Sequence, residues 1–377
     1  MPNTRMRLTI SDIAKLAGVS KSTVSLVLNN KPGVSEKIRR EVLEVIEKYR
    51  YNPSQIAQSL AARETRSIGL IIKEIDNPYF SRLMRGVYDS CSELGYSVLL
   101  GSSELSAGKE AEIIKTLVSK RVDGLIISPL QSEGSNFSYL IDLLKDNYPL
   151  VILGIVTNYP TNVVDIDNAK AAYDAVSLLI RHGHTKIAHF GGPVHSGHGQ
   201  RRLEGYKQAL SDHGIPISKN YIVAVEPYIP DGYQAGKHLF SGNADPPTAV
   251  FCYNDLVAIG LINALTDLGV DVPDDVSVMG FDNIDFGEYV RIPLTTVQMP
   301  AYEIGKAAAS LLVKQINSPS TPLVERVILE HKIIERHSIA KRSGQNFRVD
   351  DLTEKTAPGD GTDAKGRIRQ ADATGKK

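Results

Sequence analysis

Cysteine is almost absent. The 377 residues include two, Cys91 and Cys252, too few for a disulfide scaffold, which points to a reducing compartment. Long apolar runs are missing as well. No stretch reaches the ~18 apolar residues of a membrane span, and the N-terminus has no apolar run of signal-peptide length. A soluble, cytoplasmic protein without a membrane partner is expected. Net charge is also lacking, with 43 basic side chains against 43 acidic ones. That balance hides an asymmetry. Residues 1–63 hold eleven Lys or Arg against five Asp or Glu, so the rest of the chain carries the compensating acidic excess. A basic head on an acidic body is what phosphate neutralisation on nucleic acid requires.

Catalytic and cofactor signatures are missing too. No Ser-His-Asp set or nucleophilic cysteine stands out, so an enzyme is not expected. His182, His184, His189, His195 and His198 cluster in sequence but lack HExxH spacing, and a strand separates the first three from the last two. They read as turn and pocket histidines, and neither a metal nor another cofactor is expected. "GGPVHSGHG" is glycine-rich, yet it has neither the Lys-Ser/Thr of a phosphate loop nor GxGxxG spacing.

What is present begins with "LAGVSKSTVSLVLNN", residues 16–30. Its β-branched residues favour strands, but apolar and polar residues do not alternate. At 100° per residue Val24, Val27 and Leu28 share one helical side. Lys21, Ser22, Ser25 and Asn29 share the other, with Leu26 at its edge. Ser20 is the N-cap and Gly18 the turn residue before it. Upstream, "TISDIAKLA" reads as a helix capped by Thr9 or Ser11 that buries Ile13, Leu16 and Ala17. Downstream, Ser35 caps a third helix with Ile38, Val42, Leu43, Val45 and Ile46 as its apolar stripe. Three short helices with a glycine turn fit a helix-turn-helix, whose second helix enters the major groove. A small helical cap domain with a solvated Ser-rich face is the other reading. The basic charge favours DNA.

"YNPSQIAQSLAARETRS" follows. Asn52 can cap a helix, Pro53 suits its first position, and Ile56 and Leu60 share one face. About ten residues make a marginal helix in water, so it reads as a linker or as a hinge that folds on DNA. From residue 68 to about 340, apolar runs alternate with amphipathic helices. The runs are 68–72, 96–100, 122–128, 149–155, 186–192, 221–226, 248–255 and 276–283. Such spacing predicts parallel sheets covered on both faces. Eight units are too many for one ordinary open sheet, so an α/β core of two doubly wound subdomains is expected. Ligands in such sheets bind at strand carboxyl ends. There the sequence places Asp76-Asn77, Ser128, Gly191-Gly192, Asn254-Asp255 and Asp282-Asn283.

"TISDIAKLAGVSKSTVSLVLNN", "YNPSQIAQSLAAR", "IDNPYF", "YNDLVAIG" and "GFDN…PLTTV" together resemble the lactose-repressor (LacI/GalR) family of bacterial transcription regulators. The resemblance runs from about residue 8 to 340. It implies a repressor that binds a pseudo-palindromic operator as a homodimer. Its periplasmic-binding-protein-like core would hold a small-molecule effector, a sugar or sugar derivative, between the subdomains. Lys21, Ser22 and Leu26 then read bases, while Ser25 and Asn29 lie by the DNA backbone. Ser20 and Asn52 flank the same interface, and Leu60 wedges into the minor groove. Leu26 departs from the arginine many members carry, and can touch a thymine methyl instead of a guanine.

Arg202, Asn254 and Asp282 match the family's effector positions, and the pair Arg and Asp suits vicinal hydroxyls. Tyr79 and Phe80 can stack on a sugar or base, and Asn77 and Ser128 stand at strand ends. His195 and His198 lie in the loop before Arg202. Gly154 replaces an acidic residue of several sugar-responsive members. The expected domains are 1–52 (DNA-binding), 53–65 (hinge), 66–340 (core) and 341–377 (disordered tail). Within the core, one subdomain is expected at 66–160 plus 293–320, the other at 161–292 plus 321–340. The alternatives are control by a protein or phosphorylated corepressor, a solute-binding protein, or an enzyme on a doubly wound fold. Missing export and catalytic signals argue against the last two.

Overall fold

The computed structural model describes residues 8–51, 64–130, 138–154, 160–193, 196–243, 245–318 and 324–342. Thr9 opens α1 (Ile10–Leu16) through a capping box: it accepts from the Asp12 amide, and Asp12 accepts from the Thr9 amide at 2.9 Å. Gly18, at φ +65°, makes the turn that only glycine adopts without strain. Ser20 then caps α2 (Lys21–Leu28) by accepting from the Thr23 amide at 3.1 Å. Ser35 caps α3 (Glu36–Lys48) in the same way. Ile13, Ala14, Val24, Val27 and Val42 form the core of this head. Two expected core residues differ, since Leu16 is 46% exposed and Leu43 48% exposed. Leu43 lies mid-helix but off the face that Ile38, Val42, Val45 and Ile46 turn to the core, and Leu16 ends α1.

The rest of the described chain forms two sheets. The first subdomain runs β1 (Ser67–Ile72), α4 (Pro78–Glu93), β2 (Ser97–Ser102), α5 (Ala107–Ser119), β3 (Gly124–Ile127), α6 (Ser138–Lys145), β4 (Leu150–Leu153) and β5 (Asn162–Ile166). The second runs α7 (Asn168–Arg181), β6 (Ile187–Gly191), α8 (Gly197–Asp212), β7 (Ile222–Ala224), α9 (Ile229–Phe240), β8 (Ala249–Cys252), α10 (Asp255–Asp267), β9 (Ser277–Asp282) and β10 (Thr295–Gln298). The chain returns to the first with α11 (Ala301–Asn317) and β11 (Arg326–Leu329), then ends in the second with β12 (Lys332–Ile334). The first sheet has the order β11-β5-β4-β3-β1-β2, all parallel. The second has the order β12-β10-β9-β8-β6-β7, with only β12 antiparallel. Their central strands are buried from end to end, as parallel strands between helix layers must be.

These pairings move the expected subdomain boundaries. β5 and β11 belong to the first sheet and β10 to the second, so the crossovers lie between β5 and α7, β10 and α11, and β11 and β12. Expected breaks at 161, 293 and 321 put all three strands in the wrong subdomain. Their short, polar-interrupted sequences carry no apolar run, and long-range bonds hold them instead. Gln315 of α11, for example, accepts from both the Leu150 amide and the Asn162 side chain, at 3.1 and 2.9 Å. Helix α11 itself crosses α4 closely. A side chain at Gly86 or Gly305 would run into the partner helix's backbone, at Tyr302 or Leu83.

Residues 53–63 of the expected hinge, with Asn52, lie outside the described residues, as do His195 and residues 343–377. No described helix is long and apolar enough to cross a membrane. Both cysteines are buried as free thiols.

Candidate functional site

The head presents one face. Lys21 and Ser22 are exposed on the first turn of α2, and Ser20 and Asn29 are exposed at its two ends. Ser25 and Leu26 are partly exposed between them. Asn29 folds back, donating to the Ser25 main-chain carbonyl at 2.9 Å and to the Ser25 hydroxyl at 3.3 Å, which ties the two side chains together. Arg39 of α3 fixes the following turn by donating to Asn30 at 3.1 Å and to the Lys31 carbonyl at 3.0 Å. Lys15, Lys21, Lys31, Lys37, Arg40, Lys48 and Arg50 are all exposed. The head can therefore lay one helix against an anionic surface without burying an unpaired cation.

The core holds a cavity of about 310 Å³ where strand ends from both sheets converge. Lys73 follows β1, Ser128 follows β3, Tyr253 and Asn254 follow β8, and Asp165 and Asp282 lie at the ends of β5 and β9. The structure brings Asn77, Tyr79, Phe80, Ser128, His198, Arg202, Asn254 and Asp282 to this one cavity. Other residues expected at strand ends go elsewhere. Asp76 is exposed and lies off the cavity. Asp255 turns inward, accepting from the Thr296 hydroxyl at 2.6 Å and the Ile284 amide at 2.8 Å.

Arg202 is the hub. Its Nε donates to Asn168 at 3.0 Å and its Nη1 to the Tyr253 carbonyl. Its Nη2 lies 4.0 Å from Asp282, and the guanidinium sits 3.6 Å from the Phe281 ring centroid. A buried cation needs such partners to offset its lost hydration. Asp282 is less well provided. Burial pushes its carboxyl well above the usual range, and Arg202 only partly opposes this. Asp165 is better held, accepting from the Ile166 amide at 2.8 Å and lying 3.3 Å from His198. Burial pushes His198 down and Asp165 draws it back up.

Asn77 and Asn254 do double duty. Asn77 accepts from the Tyr79 amide at 3.0 Å and donates to Glu74 at 3.1 Å. Asn254 accepts from the Val257 amide at 2.8 Å and donates to the Pro227 carbonyl at 3.0 Å. Each caps a helix, lines the cavity and donates one of its two N–H groups to the protein. Sequence reasoning missed Lys73, Glu74, Asp165 and Tyr253 as lining residues. The rule that ligands meet strand ends would have found Lys73 and Glu74, directly beyond β1. Asp165 was hidden because its strand was.

A helix-turn-helix head joined to a two-sheet core with a polar cavity at the strand ends defines a ligand-binding DNA regulator. The comparisons narrow the class to a family. Residues 9–54 match the model for bacterial regulatory proteins of the lacI family, and residues 176–339 match that for a periplasmic binding protein-like domain. Catabolite control protein A of Priestia megaterium is 35% identical over 336 residues, covering 88% of this chain and 99% of the relative. The ribose operon repressor of Haemophilus influenzae is 35% identical over 332 residues, covering 88% and 98%. The lac repressor dimer bound to operator and an anti-inducer superposes with a TM-score of 0.80 at 25% identity, over 88% of this chain and 99% of that one. A ribose-bound regulator of Enterococcus faecium gives 0.64 at 30% identity, over 74% and 100%. The chain belongs to the lacI family of bacterial regulatory proteins, and it is a DNA-binding transcriptional regulator.

Proposed function

We propose that this chain is a cytoplasmic, homodimeric repressor without enzymatic activity, and that a small polyhydroxylated effector in the core cavity sets its operator affinity. The observation that carries this reading is the meeting of Arg202 and Asp282 inside a cavity built from both subdomains. Paired donors and acceptors in that setting suit the vicinal hydroxyls of a sugar. A ligand that grips both sheets favours one subdomain arrangement over another, which is all an effector needs to do. The ribose and lac repressor relatives support the same class of ligand and a dimer on operator DNA. On the head, Lys21, Ser22 and Leu26 read bases while Ser20, Ser25 and Asn29 position the helix; Asn52 and Leu60 extend the contact.

The dimer reading has its own support. β2 is an edge strand whose Leu99 and Leu100 are exposed, and Tyr88 of α4 is 61% exposed. An uncovered apolar edge invites pairing with a second copy. The test is a melting-temperature screen of the purified chain against sugars, sugar acids, phosphosugars and nucleobases, followed by operator binding with and without each hit. A ligand that raises the melting point and changes operator affinity supports the reading. A ligand that binds the core and leaves operator affinity unchanged overturns it.

A further inference from the structure

Lys73 lines the cavity from the end of β1, half-buried. Its ammonium makes no hydrogen bond or ion pair with another described residue. Its neighbours are matched: Arg202 with Asn168 and Tyr253, Asp165 with His198, and Glu74 with Asn77. Burial and the Arg202 guanidinium both push the Lys73 ammonium below its ordinary range. Arg202 acts on it more strongly than Asp165, Glu110 or Glu74 does singly. Two cations, one from each subdomain, thus face a shared space, and Lys73 bonds to no described residue there. Charged groups removed from water are normally paired.

We infer that the effector carries an anionic oxygen group, a carboxylate or a phosphate, which Lys73 and Arg202 hold between the two subdomains. The inference rests on the effector reading above and names the chemistry of its ligand. An anion there relieves the repulsion between the cations and gives Lys73 its missing acceptor. The cavity's carboxylates do not forbid it. Asp165 is committed to the Ile166 amide and His198, Glu226 is exposed to solvent, and burial holds Glu74 and Asp282 towards their neutral forms. Hydroxyls on the same ligand can then meet Asp282, and an apolar face can meet Tyr79. Lys73 is the specificity-determining residue in this account.

The test uses the full chain and sets of matched probes: glucose, galactose, mannose and ribose, each with its aldonic acid, uronic acid and terminal phosphate. Calorimetry at fixed ionic strength should give the acid or phosphate at least about tenfold tighter binding than its neutral parent, as a charge-assisted bond provides. Lys73→Gln should erase that preference and Lys73→Arg should restore part of it. Because neither change breaks a hydrogen bond or ion pair with a described residue, both variants should melt no lower than wild type. The acid and phosphate arms distinguish the two sources of the anion. Tighter binding of neutral sugars, or a preference that survives Lys73→Gln, overturns the anionic assignment. Arg202→Ala that leaves probe affinity unchanged overturns the cavity reading instead, and a chain that binds no probe overturns both.

Discussion

Arg82 on α4 donates to the main-chain carbonyl of Asn283 at 3.0 Å, tying a helix of the first subdomain to the turn that ends β9 in the second. That turn is strained. Asp282 stands at φ +114° and Asn283 at φ +57°, a region that costs about 1–3 kcal/mol for a side chain other than glycine. Arg336 holds the other end of Asn283, donating to its side-chain oxygen at 2.9 Å. Arg82 also pairs with Asp285. Two arginines therefore fix the backbone that aims Asp282 into the cavity, and one of them belongs to the opposite subdomain.

Arg82→Ala should weaken communication more than folding. Arg82 is only partly buried, and exposed pairs contribute about 0–1 kcal/mol. The melting temperature should fall by no more than about 2–4 °C. The ratio of operator affinities with and without effector should change by about fivefold or more, the lower range of measured couplings. Operator titrations on both proteins measure it. An unchanged ratio would show that this bridge carries no coupling.

The architecture was largely legible because parallel strands buried on both faces appear as apolar runs, and eight of them stood out. Strands β5, β10, β11 and β12 did not. They are short, and β5 and β10 carry buried Asn162, Asp165, Thr295 and Thr296. Those polar groups are affordable only through distant partners such as Gln315, His198 and Asp255. Sequence periodicity does not record such pairings. The same blindness hid part of the cavity: Asp165 ends an unseen strand, and no pattern in the sequence shows that Lys73 bonds to no described residue. Residues at the ends of visible strands, such as Ser128 and Asp282, were open to view.

Lys21 and Ser22 should govern operator choice. Both are exposed on the first turn of α2, where side chains of a recognition helix reach base edges. Exchanging them should move discrimination by about 1–3 kcal/mol per good contact. Operator selection from a random pool, run on wild type and on the double variant, compares the motifs. Identical motifs would remove these residues from base reading.

Acid should destabilise the core through two buried histidines. Burial pushes His184 and His189 down from 6.5 to about 4. The unfolded chain therefore binds more protons between those values. Their stabilisation is fully present above about pH 6.5 and is lost as pH falls through about 4. Asp255 opposes them, since burial pushes it up to about 7 and its contribution grows as pH falls. Glu74 and Asp282, also raised by burial, oppose them too, so the histidine contribution is read as the difference between wild type and a variant. His189 is stacked between Tyr206 and Phe251, at centroid distances of 5.1 and 5.0 Å, so His189→Phe keeps the packing. It should flatten the acid limb by up to about 3 kcal/mol. Denaturant melts at pH 7 and pH 4 provide the comparison. An unaltered difference between the two pH values would exclude His189 as the source.

Asp282→Asn should trade function for stability. The carboxyl is buried, Arg202 stands 4.0 Å away, and burial holds its protonation range well above normal. The sign follows directly: with its folded value raised, the group stabilises at low pH, and that contribution is lost as pH rises through the raised value. A neutral isostere escapes this loss, and asparagine tolerates positive φ better than most residues. The variant should therefore melt at or above the wild-type temperature at pH 8. The same change replaces one of the two carboxyl oxygens with an amide NH2 in a site built for hydroxyls, so effector affinity should fall at least about tenfold. Operator binding should persist, because Lys21 and its neighbours are untouched. An induced repressor would then stay on its operator whatever the effector concentration, and a corepressed one would stay weak. Calorimetry with the effector, beside melts at pH 8, reads both halves. Full effector affinity in Asp282→Asn would move the binding site away from the end of β9.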